Sequence, residues 1–252
     1  MIFIIPTQAS PKAVGVSNWV FTEMANFRLI SGISNIGASN KVPLGLEFEL
    51  KDGWKIYWRN PGDAGYPPEI NFGNNENLSE IKWFWPAPKR FIFEDMQNFG
   101  YEKKIIFPIT ATVKTTKEPL VLQANITALA CKDICVPIDG DLNLTIPVGN
   151  PVKTEHAASI YSFEKRVPTK ATWPGFKILS VNANKNSILI KVKSKHPLIK
   201  PDVFIESENG FRFGKPEVSI SNNRLNGSFI LSNDIPIDTN LTGIPITITV
   251  VD

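Results

Sequence analysis

A long alternating run of apolar residues ends at two cysteines near the middle of the chain. Every second residue from 120 to 130 is apolar, namely Leu120, Leu122, Ala124, Ile126, Ala128 and Ala130. A period of two is typical of a β-strand with one buried face. Cys131 and Cys135, the two cysteines of the chain, follow directly. On an extended strand their Cα atoms would lie about 13 Å apart, whereas a disulfide needs about 4.4–6.8 Å. These cysteines can therefore pair only if the chain turns between them.

Three interpretations of the cysteine pair are open from the residues alone: a redox-active pair, a local structural disulfide, or metal ligands. A disulfide loop of about five residues stabilises a fold by roughly 2 kcal/mol, against about 3 kcal/mol for fifteen residues. So short a loop suits reversible opening. Copper sites with this cysteine spacing add a nearby His or Met, and structural zinc takes four ligands. His156 and His196 lie beyond the following strand and are predicted to be surface residues, so we assign no metal ligand.

Length and charge exclude some function classes. The chain has 252 residues, of which 20% are charged, and a formal net charge of +3. This length suits one large or two ordinary domains, each with its own core. The lysines are scattered among acidic residues, so nucleic acid is not an expected partner. No apolar run approaches the roughly eighteen residues that span a bilayer.

The N-terminal residues 1–17 have two interpretations. Residues 1–5 are apolar and residues 6–10 include small residues, as at the end of a secretory signal, although the basic start is missing. An ordinary disordered terminus fits equally well. We assign residues 1–17 to a signal-peptide remnant or a disordered segment.

Local patterns predict strands and turns before residue 150. Residues 44–50 alternate, and a Lys-Asp-Gly turn at 51–53 leads into residues 54–59, which predicts a hairpin. Residues 60–68 are rich in Pro and Gly and are predicted to form an ordered surface loop. After the cysteines, Asp-Gly at 139–140 predicts a turn before the return strand.

The second half of the chain predicts a further β unit. Gly and Pro at residues 148–152 end the first unit, and Thr154 can cap a short helix that ends by Pro168. Six short strands in the last eighty or so residues, one of them predicted at 211–220, fit a small sandwich. We predict an all-β fold of two β-sandwich domains joined by a short helical linker, with the second domain immunoglobulin-like. The predicted limits are 18–150 for the first domain, 151–175 for the linker and 176–252 for the second domain.

Three segments together carry a family resemblance. They are Gly-Trp-Lys-Ile-Tyr-Trp-Arg-Asn-Pro-Gly-Asp-Ala-Gly-Tyr-Pro-Pro at 53–68, Trp-Pro-Ala-Pro at 85–88 with Gly-Tyr at 100–101, and Cys-Lys-Asp-Ile-Cys-Val-Pro at 131–137. With these segments in this order, the chain resembles the periplasmic N-terminal region of the DsbD thiol:disulfide interchange reductases, in their ScsB-like branch. The resemblance is weaker over the second predicted domain.

The resemblance implies that Cys131 and Cys135 are the catalytic residues of a protein-disulfide reductase component. Members of the family carry an immunoglobulin-like domain whose cysteine pair receives electrons from cytoplasmic thioredoxin through a membrane domain. The pair then reduces periplasmic disulfide isomerases and related thioredoxin-fold proteins. The resemblance therefore implies an all-β fold of two immunoglobulin-like β-sandwich domains joined by a short helical linker. By the same resemblance, Cys135 forms the mixed disulfide with partners. The expected location is the periplasm, and no cofactor is expected.

The resemblance also bears on partners. Family members usually continue into a membrane domain and a thioredoxin-like domain, whereas this sequence stops at Asp252. We therefore expect a separate membrane electron donor, unless the chain is a fragment or a degenerate copy. The other expected partner is a thioredoxin-fold disulfide isomerase or related periplasmic protein. The alternative is a non-enzymatic periplasmic binding or copper-handling module, in which the cysteines are ligands or a structural link.

Overall fold

The structure, a computed structural model, describes residues 14–73, 75–93, 95–170, 175–184, 187–207, 212–232 and 245–252. In chain order, the strands and the helix are β1 (Val20–Phe21), β2 (Ala25–Ser31), β3 (Lys41–Leu50), β4 (Lys55–Gly62), β5 (Glu69–Asn71), β6 (Leu78–Trp83), β7 (Lys89–Phe93), β8 (Met96–Glu102), β9 (Lys104–Val113), β10 (Leu120–Cys131), β11 (Cys135–Ile146), α1 (Ala157–Glu164), β12 (Phe176–Ala183), β13 (Ser187–Ser194), β14 (Asp202–Ser207), β15 (Glu217–Ile220), β16 (Asn226–Ser232) and β17 (Ile246–Val251). Among the described residues, no helix has the length and hydropathy of a membrane span. The prediction of an all-β fold with one short helix is confirmed.

Two antiparallel sheets pack against each other in the N-terminal part, residues 14–146. The first sheet has the order β1-β2-β3-β9-β6, and the second has the order β11-β10-β4-β8-β7, with β5 also paired to β10. Side chains along each strand alternate between the two faces, so every second residue points to the interior. We call this interior the first core. Phe27, Phe48 and Phe107 are fully buried in it.

The strands β10 and β11 form a long hairpin in the second sheet. Their register is unbroken and ends with Cys131 opposite Cys135. The predicted turn at 139–140 is wrong, because both residues lie inside β11. A Cβ atom at Gly140 would lie 2.8 Å from the Val20 side chain. Glycine at this position therefore makes room for β1 and does not turn the chain.

The predicted hairpin of residues 44–59 is also wrong. The strand β3 pairs with β2 and β9 in the first sheet, whereas β4 pairs with β8 and β10 in the second. The turn at 51–53 carries the chain from one sheet to the other, and Gly53 has a φ of 81° there, which glycine adopts without strain. Because β4 extends to Gly62, the predicted loop begins at residue 63 and not at residue 60.

The helix α1 packs over β9 and β3 of the first sheet. Its residues Ile160 and Phe163 are buried. Thr154 lies two positions before the N-cap residue His156, and its hydroxyl accepts a hydrogen bond from the His156 N–H at 3.2 Å. His156 is not the surface residue that we expected, since only 12% of its side chain is exposed. Burial, together with the positive charge of Arg28, lowers the pKa of His156.

The C-terminal part, residues 175–252, encloses a second group of buried residues, which we call the second core. A third sheet has the order β12-β13-β16-β15, and a fourth sheet pairs β14 with β17. Ile190, Val192 and Phe229 are fully buried in the second core. Of the strand predicted at 211–220, β15 covers the last four residues, and residue 211 lies outside the described residues.

The predicted domain limits stay a prediction. Of the terminal segment 1–17, residues 1–13 lie outside the described residues. Residues 14–17 run along β2, where the Ser17 N–H donates to the Leu29 carbonyl at 2.9 Å. Residues 171–174 of the predicted linker also lie outside the described residues. The linker residues of α1 pack on the N-terminal part.

A buried carboxylate ties the strands of the first sheet together. The Glu47 side chain is 2% exposed, and it accepts hydrogen bonds from Arg28 Nε at 2.7 Å and from Lys104 Nζ at 2.5 Å. Burial raises the pKa of Glu47, but the hydrogen bonds and charges of Lys104 and Arg28 lower this pKa by more. The net effect is a pKa below the usual value, so the folded protein favours the ionised carboxylate.

We predict that Glu47→Gln lowers the free energy of unfolding at pH 7 by about 1–3 kcal/mol, because hydrogen bonds between charged groups are lost. The lowered folded-state pKa means that this stabilisation is present above the unfolded-state pKa and is lost as the pH falls through the folded-state pKa. In urea unfolding, the difference in the free energy of unfolding between wild type and variant should shrink as the pH falls from about 5 towards about 2. The control is Glu49→Gln, which removes an exposed carboxylate 3.3 Å from Lys104. This variant should change the free energy of unfolding little. A difference that persists undiminished at low pH would contradict this account.

Candidate functional site

The two cysteines meet at the end of the β10–β11 hairpin. Cys131 ends β10 and Cys135 begins β11, and the register places them opposite each other. The Lys132 N–H donates to the Ile134 carbonyl at 3.0 Å and closes the turn between the strands. The Cα atoms of the cysteines are 4.1 Å apart and their sulfurs form a disulfide. The turn that the cysteine spacing predicts is confirmed.

The two cysteines differ in exposure. Cys131 is 8% exposed, and the other edge of β10 is flanked there by β4, where Lys55 pairs with Cys131. Cys135 is exposed and lies on β11, which is at the edge of the second sheet. Cys135 is thus the more accessible of the two cysteines. A thiolate from another protein can approach the Cys135 sulfur more directly than the Cys131 sulfur.

The hydroxyl of Tyr57 lies next to both sulfurs. It donates a hydrogen bond to Cys131 Sγ at 2.9 Å and lies 3.8 Å from Cys135 Sγ. Tyr57 is 5% exposed, and burial raises its pKa above the usual value. The hydroxyl therefore keeps its proton near neutral pH. Since a hydrogen bond to an ionised acceptor is stronger than one to a neutral sulfur, this donor favours Cys131 in its thiolate form.

Tyr57 is a site residue that the sequence did not predict. It lies in the aromatic segment 54–59, in which Trp54 and Trp58 give an equally strong signal for a core side chain. The feature that distinguishes Tyr57 is its polar tip, because a buried tyrosine hydroxyl needs a hydrogen-bond partner. This requirement could have directed attention to Tyr57, but it could not have named a sulfur 74 residues away as the partner.

The loop that follows β4 covers the ring of Tyr57. A Cβ atom at Gly65 would lie 2.2 Å from the Tyr57 ring, and Gly65 has a φ of +99°, so a side chain is excluded here on both counts. Two hydrogen bonds tie the loop to β8. The Asp63 N–H donates to the Gln97 carbonyl at 2.8 Å, and the Gln97 N–H donates to the Asp63 carboxylate at 2.7 Å. The loop thus limits the movement of the ring that carries the hydroxyl.

The lysines near the turn bind backbone carbonyls. Lys132 Nζ donates to the Asp52 carbonyl at 3.4 Å, and Lys55 Nζ donates to the Gly53 carbonyl at 3.3 Å. Both side chains therefore support the turn at 51–53, which crosses between the sheets beside the cysteines. Within the part of the chain that the structure describes, no group of three or more His, Cys, Asp or Glu side chains is arranged to hold a metal ion.

Comparisons with known proteins cover both parts of the chain. Residues 31–147 match the family model of the N-terminal region of thiol:disulfide interchange protein DsbD, and residues 166–252 match a domain of unknown function, DUF8393. No curated protein sequence matches the chain. Among solved structures, the N-terminal periplasmic domain of ScsB from Proteus mirabilis matches 95% of this chain and 94% of its own, with 23% identity and a TM-score of 0.76. The N-terminal domain of Neisseria meningitidis DsbD in the reduced form matches 56% of this chain and 91% of its own, with 14% identity and a TM-score of 0.25.

These matches confirm two of the predictions. The resemblance to the N-terminal region of DsbD is confirmed over residues 31–147, which include Tyr57 and both cysteines. The TM-score of 0.76 over nearly the whole chain shows that this protein shares the fold of the ScsB domain, and the immunoglobulin-like β class is confirmed.

We predict that replacing both Cys131 and Cys135 by Ala lowers the free energy of unfolding by about 2 kcal/mol, because the loop that the disulfide closes is short. Urea unfolding of the oxidised wild type and the double variant measures the difference. The reduced wild-type protein is the matched control and should unfold like the variant. A loss of more than about 4 kcal/mol would identify the disulfide as a structural one.

We also predict that Tyr57→Phe raises the pKa of the Cys131 thiol, because the thiolate loses a charge-assisted hydrogen bond. The pH dependence of alkylation measures this pKa in a Cys135→Ser background, where Cys131 is the single thiol. Tyr66→Phe removes the hydroxyl of a tyrosine that is 74% exposed, and it should leave the pKa unchanged. An equal pKa with and without the Tyr57 hydroxyl would contradict the prediction.

Proposed function

We propose that this chain, whose residues 31–147 match the DsbD N-terminal family, is a thiol–disulfide exchange component of the periplasm. It passes reducing equivalents through Cys131 and Cys135 from a membrane electron donor to thioredoxin-fold proteins. Residues 18–150 form the exchange domain in this proposal. The observation that carries the proposal is the pairing of an exposed Cys135 with a buried Cys131 whose sulfur accepts a hydrogen bond from Tyr57.

The first half-reaction reduces the chain. A thiolate of the donor attacks the sulfur of Cys135, the more exposed cysteine, and the Cys131 sulfur leaves as a thiolate. The Tyr57 hydroxyl stabilises this leaving thiolate, which lowers its basicity and speeds its departure. The donor's second thiolate then attacks the mixed disulfide and releases the Cys135 sulfur. Two electrons have entered the chain, and the donor's two thiols have become a disulfide.

The second half-reaction reduces the partner. The Cys135 thiolate attacks the partner's disulfide, forms a mixed disulfide and expels one partner sulfur as a thiolate. The Cys131 thiolate then attacks Cys135 Sγ, restores the disulfide of the chain and releases the second partner sulfur. The partner gains two electrons, and its thiolates take up protons according to their pKa values. Cys131 does not need to leave its buried position in either half-reaction, since it reacts with the sulfur of its neighbour.

The surface around Cys135 suits contact with another protein. Ile134 lies next to Cys135 at the tip of the hairpin, and it is 68% exposed. An exposed apolar side chain beside a reactive sulfur gives a partner a contact that helps hold the two sulfurs in line. The periplasm is a compartment in which disulfides form and persist, so a reductant there has substrates to act on.

We predict that Cys131→Ser accumulates a mixed disulfide with an oxidised thioredoxin-fold disulfide isomerase, because the resolving thiol is absent and Cys135 is accessible. Cys135→Ser should trap several-fold less, because its remaining thiol is buried. Non-reducing gels of each variant incubated with the isomerase measure the adducts, and the Cys131→Ser/Cys135→Ser double variant is the blank.

Two outcomes would count against the proposed function. Equal trapping by the two single variants, or more through Cys131, would overturn the roles of the cysteines. No adduct with either variant, together with tight binding of Cu(I) by the reduced wild type, would favour a copper-handling module.

A further inference from the structure

The strand β14 of the C-terminal part lies between the two cores. Val203 and Ile205 are buried in the second core, whereas Phe204 is buried in the first core. This division follows from the alternation of side chains along a strand. Thus β14 belongs to the C-terminal fold through one face and contacts the N-terminal sheets through the other.

The part of the N-terminal sheets that β14 contacts is an irregular segment of β4. The ladder between β4 and β8 stops after Tyr57 opposite Gly100, and it resumes with Gly62 opposite Asn98. Residues 58–61 therefore bulge out of the ladder with β8, immediately after the residue whose hydroxyl contacts Cys131. A bulged segment needs other contacts to fix its position.

Three contacts from β14 hold this bulge. The Trp58 ring packs on the Phe204 ring, with centroids 5.8 Å apart. The Arg59 guanidinium makes two hydrogen bonds to the Glu206 carboxylate, at 2.8 and 2.7 Å. In addition, Asn60 Nδ2 donates to the Ile205 carbonyl at 3.1 Å. The three residues that directly follow Tyr57 are thus bound by the C-terminal part.

A buried arginine keeps β14 in this place. The Arg90 side chain is 7% exposed, and its guanidinium donates to the Asp202 carboxylate at 3.0 and 2.9 Å and to the Val203 carbonyl at 2.7 Å. The same guanidinium lies over the Phe204 ring, 5.0 Å from its centroid. Because Arg90 is buried, its charge requires these partners. The position of β14 against the N-terminal sheets is therefore well determined.

The loop that covers Tyr57 is also connected to the C-terminal part. Gln97, whose backbone binds Asp63 of this loop, donates from Nε2 to the Phe213 carbonyl at 3.2 Å. Both segments that adjoin the Tyr57 ring, the bulge and the covering loop, thus have contacts that lead to the C-terminal part.

We propose that β14 positions the Tyr57 hydroxyl on the Cys131 sulfur, with Phe204 and Glu206 as the positioning residues. In this way the C-terminal part sets how readily the disulfide is reduced, by acting through Tyr57. The proposal rests on the proposed function in one respect, since it takes the cysteine pair to open and close reversibly. A purely structural role of β14 would change stability and leave the thiol–disulfide equilibrium unaltered.

The test measures the equilibrium of the full chain with dithiothreitol at pH 7, by thiol trapping. In this equilibrium the dithiol reagent gives two electrons to the chain's disulfide and becomes its own cyclic disulfide. Its two protons pass to the newly formed thiolates or, for a sulfur that stays ionised, to the buffer. We expect Tyr57→Phe to disfavour reduction by about tenfold, as for loss of a hydrogen bond to a charged group. Phe204→Ala should shift the equilibrium several-fold in the same direction. The Tyr57→Phe/Phe204→Ala double variant should shift it no further than Tyr57→Phe alone.

Matched controls separate positioning from general destabilisation. Phe229→Ala truncates a phenylalanine buried in the second core, and it should lower stability without shifting the equilibrium. Glu206→Gln weakens the hydrogen bonds to Arg59 and leaves no cavity, because glutamine has nearly the same size as glutamate. It replaces Phe204→Ala as the test variant if Phe204→Ala does not fold. Glu217→Gln, at an exposed position of β15, is its control. Full additivity of Tyr57→Phe and Phe204→Ala, or no shift in folded Phe204→Ala or Glu206→Gln protein, would overturn the proposal.

A second measurement tests the positioning of Tyr57 by β14 without relying on the proposed function. In the oxidised chain, NMR titration of the Tyr57 ring reports its pKa, which burial raises. This pKa should fall towards the ordinary value in Phe204→Ala and stay raised in Phe229→Ala. If the wild-type disulfide did not open reversibly, the proposed function would fail, and the ring titration would still decide whether β14 positions Tyr57.

Discussion

The register of β10 against β11 is the constraint on which the sulfur site depends. Inward-facing residues of β10 are buried at every second position, and a slip by one residue would turn all of them to the outside of the sheet. The first core therefore fixes which residue of β11 lies opposite each residue of β10. Since Cys131 and Cys135 are the last pair of this ladder, the core brings the two sulfurs together whether or not they are bonded. We therefore expect the fold to persist when the disulfide between this pair is reduced.

Features that depend on neighbouring residues were predictable from the sequence. The alternation in β10 identified a strand with one buried face, and the cysteine spacing required a turn. The errors concern features that depend on packing. Asp-Gly at 139–140 has the composition of a turn, but Gly140 is small because Val20 crosses it. The residues at 51–53 do turn the chain, yet local sequence does not tell whether the next strand joins the same sheet or the opposite one.

Of the candidate site, the cysteines were predictable from the sequence, but Tyr57 was not, because its contact with the sulfurs depends on packing between distant segments. The cysteines can be recognised as candidate site residues from their residue type alone. Tyr57 is a site residue because its hydroxyl contacts a sulfur that is 74 residues away in sequence. The support of Tyr57 is equally non-local. Val203, Phe204 and Ile205 form an apolar run that predicts a strand, but the burial of alternate residues in two different cores is a property of the assembled molecule. No local pattern indicates that Glu206 pairs with Arg59.

The separation of Arg59 and Glu206 by 147 residues has a consequence for the order in which the molecule is assembled. The β10–β11 hairpin needs residues that are close in sequence, and it lies ahead of β14 in the chain. Because chains emerge from synthesis with the N-terminus first, the hairpin is available to fold before β14 exists. The contacts between β14 and the residues that follow Tyr57 can form only after this hairpin has been synthesised. The surroundings of Tyr57 are therefore complete only once the C-terminal part has been synthesised and has docked.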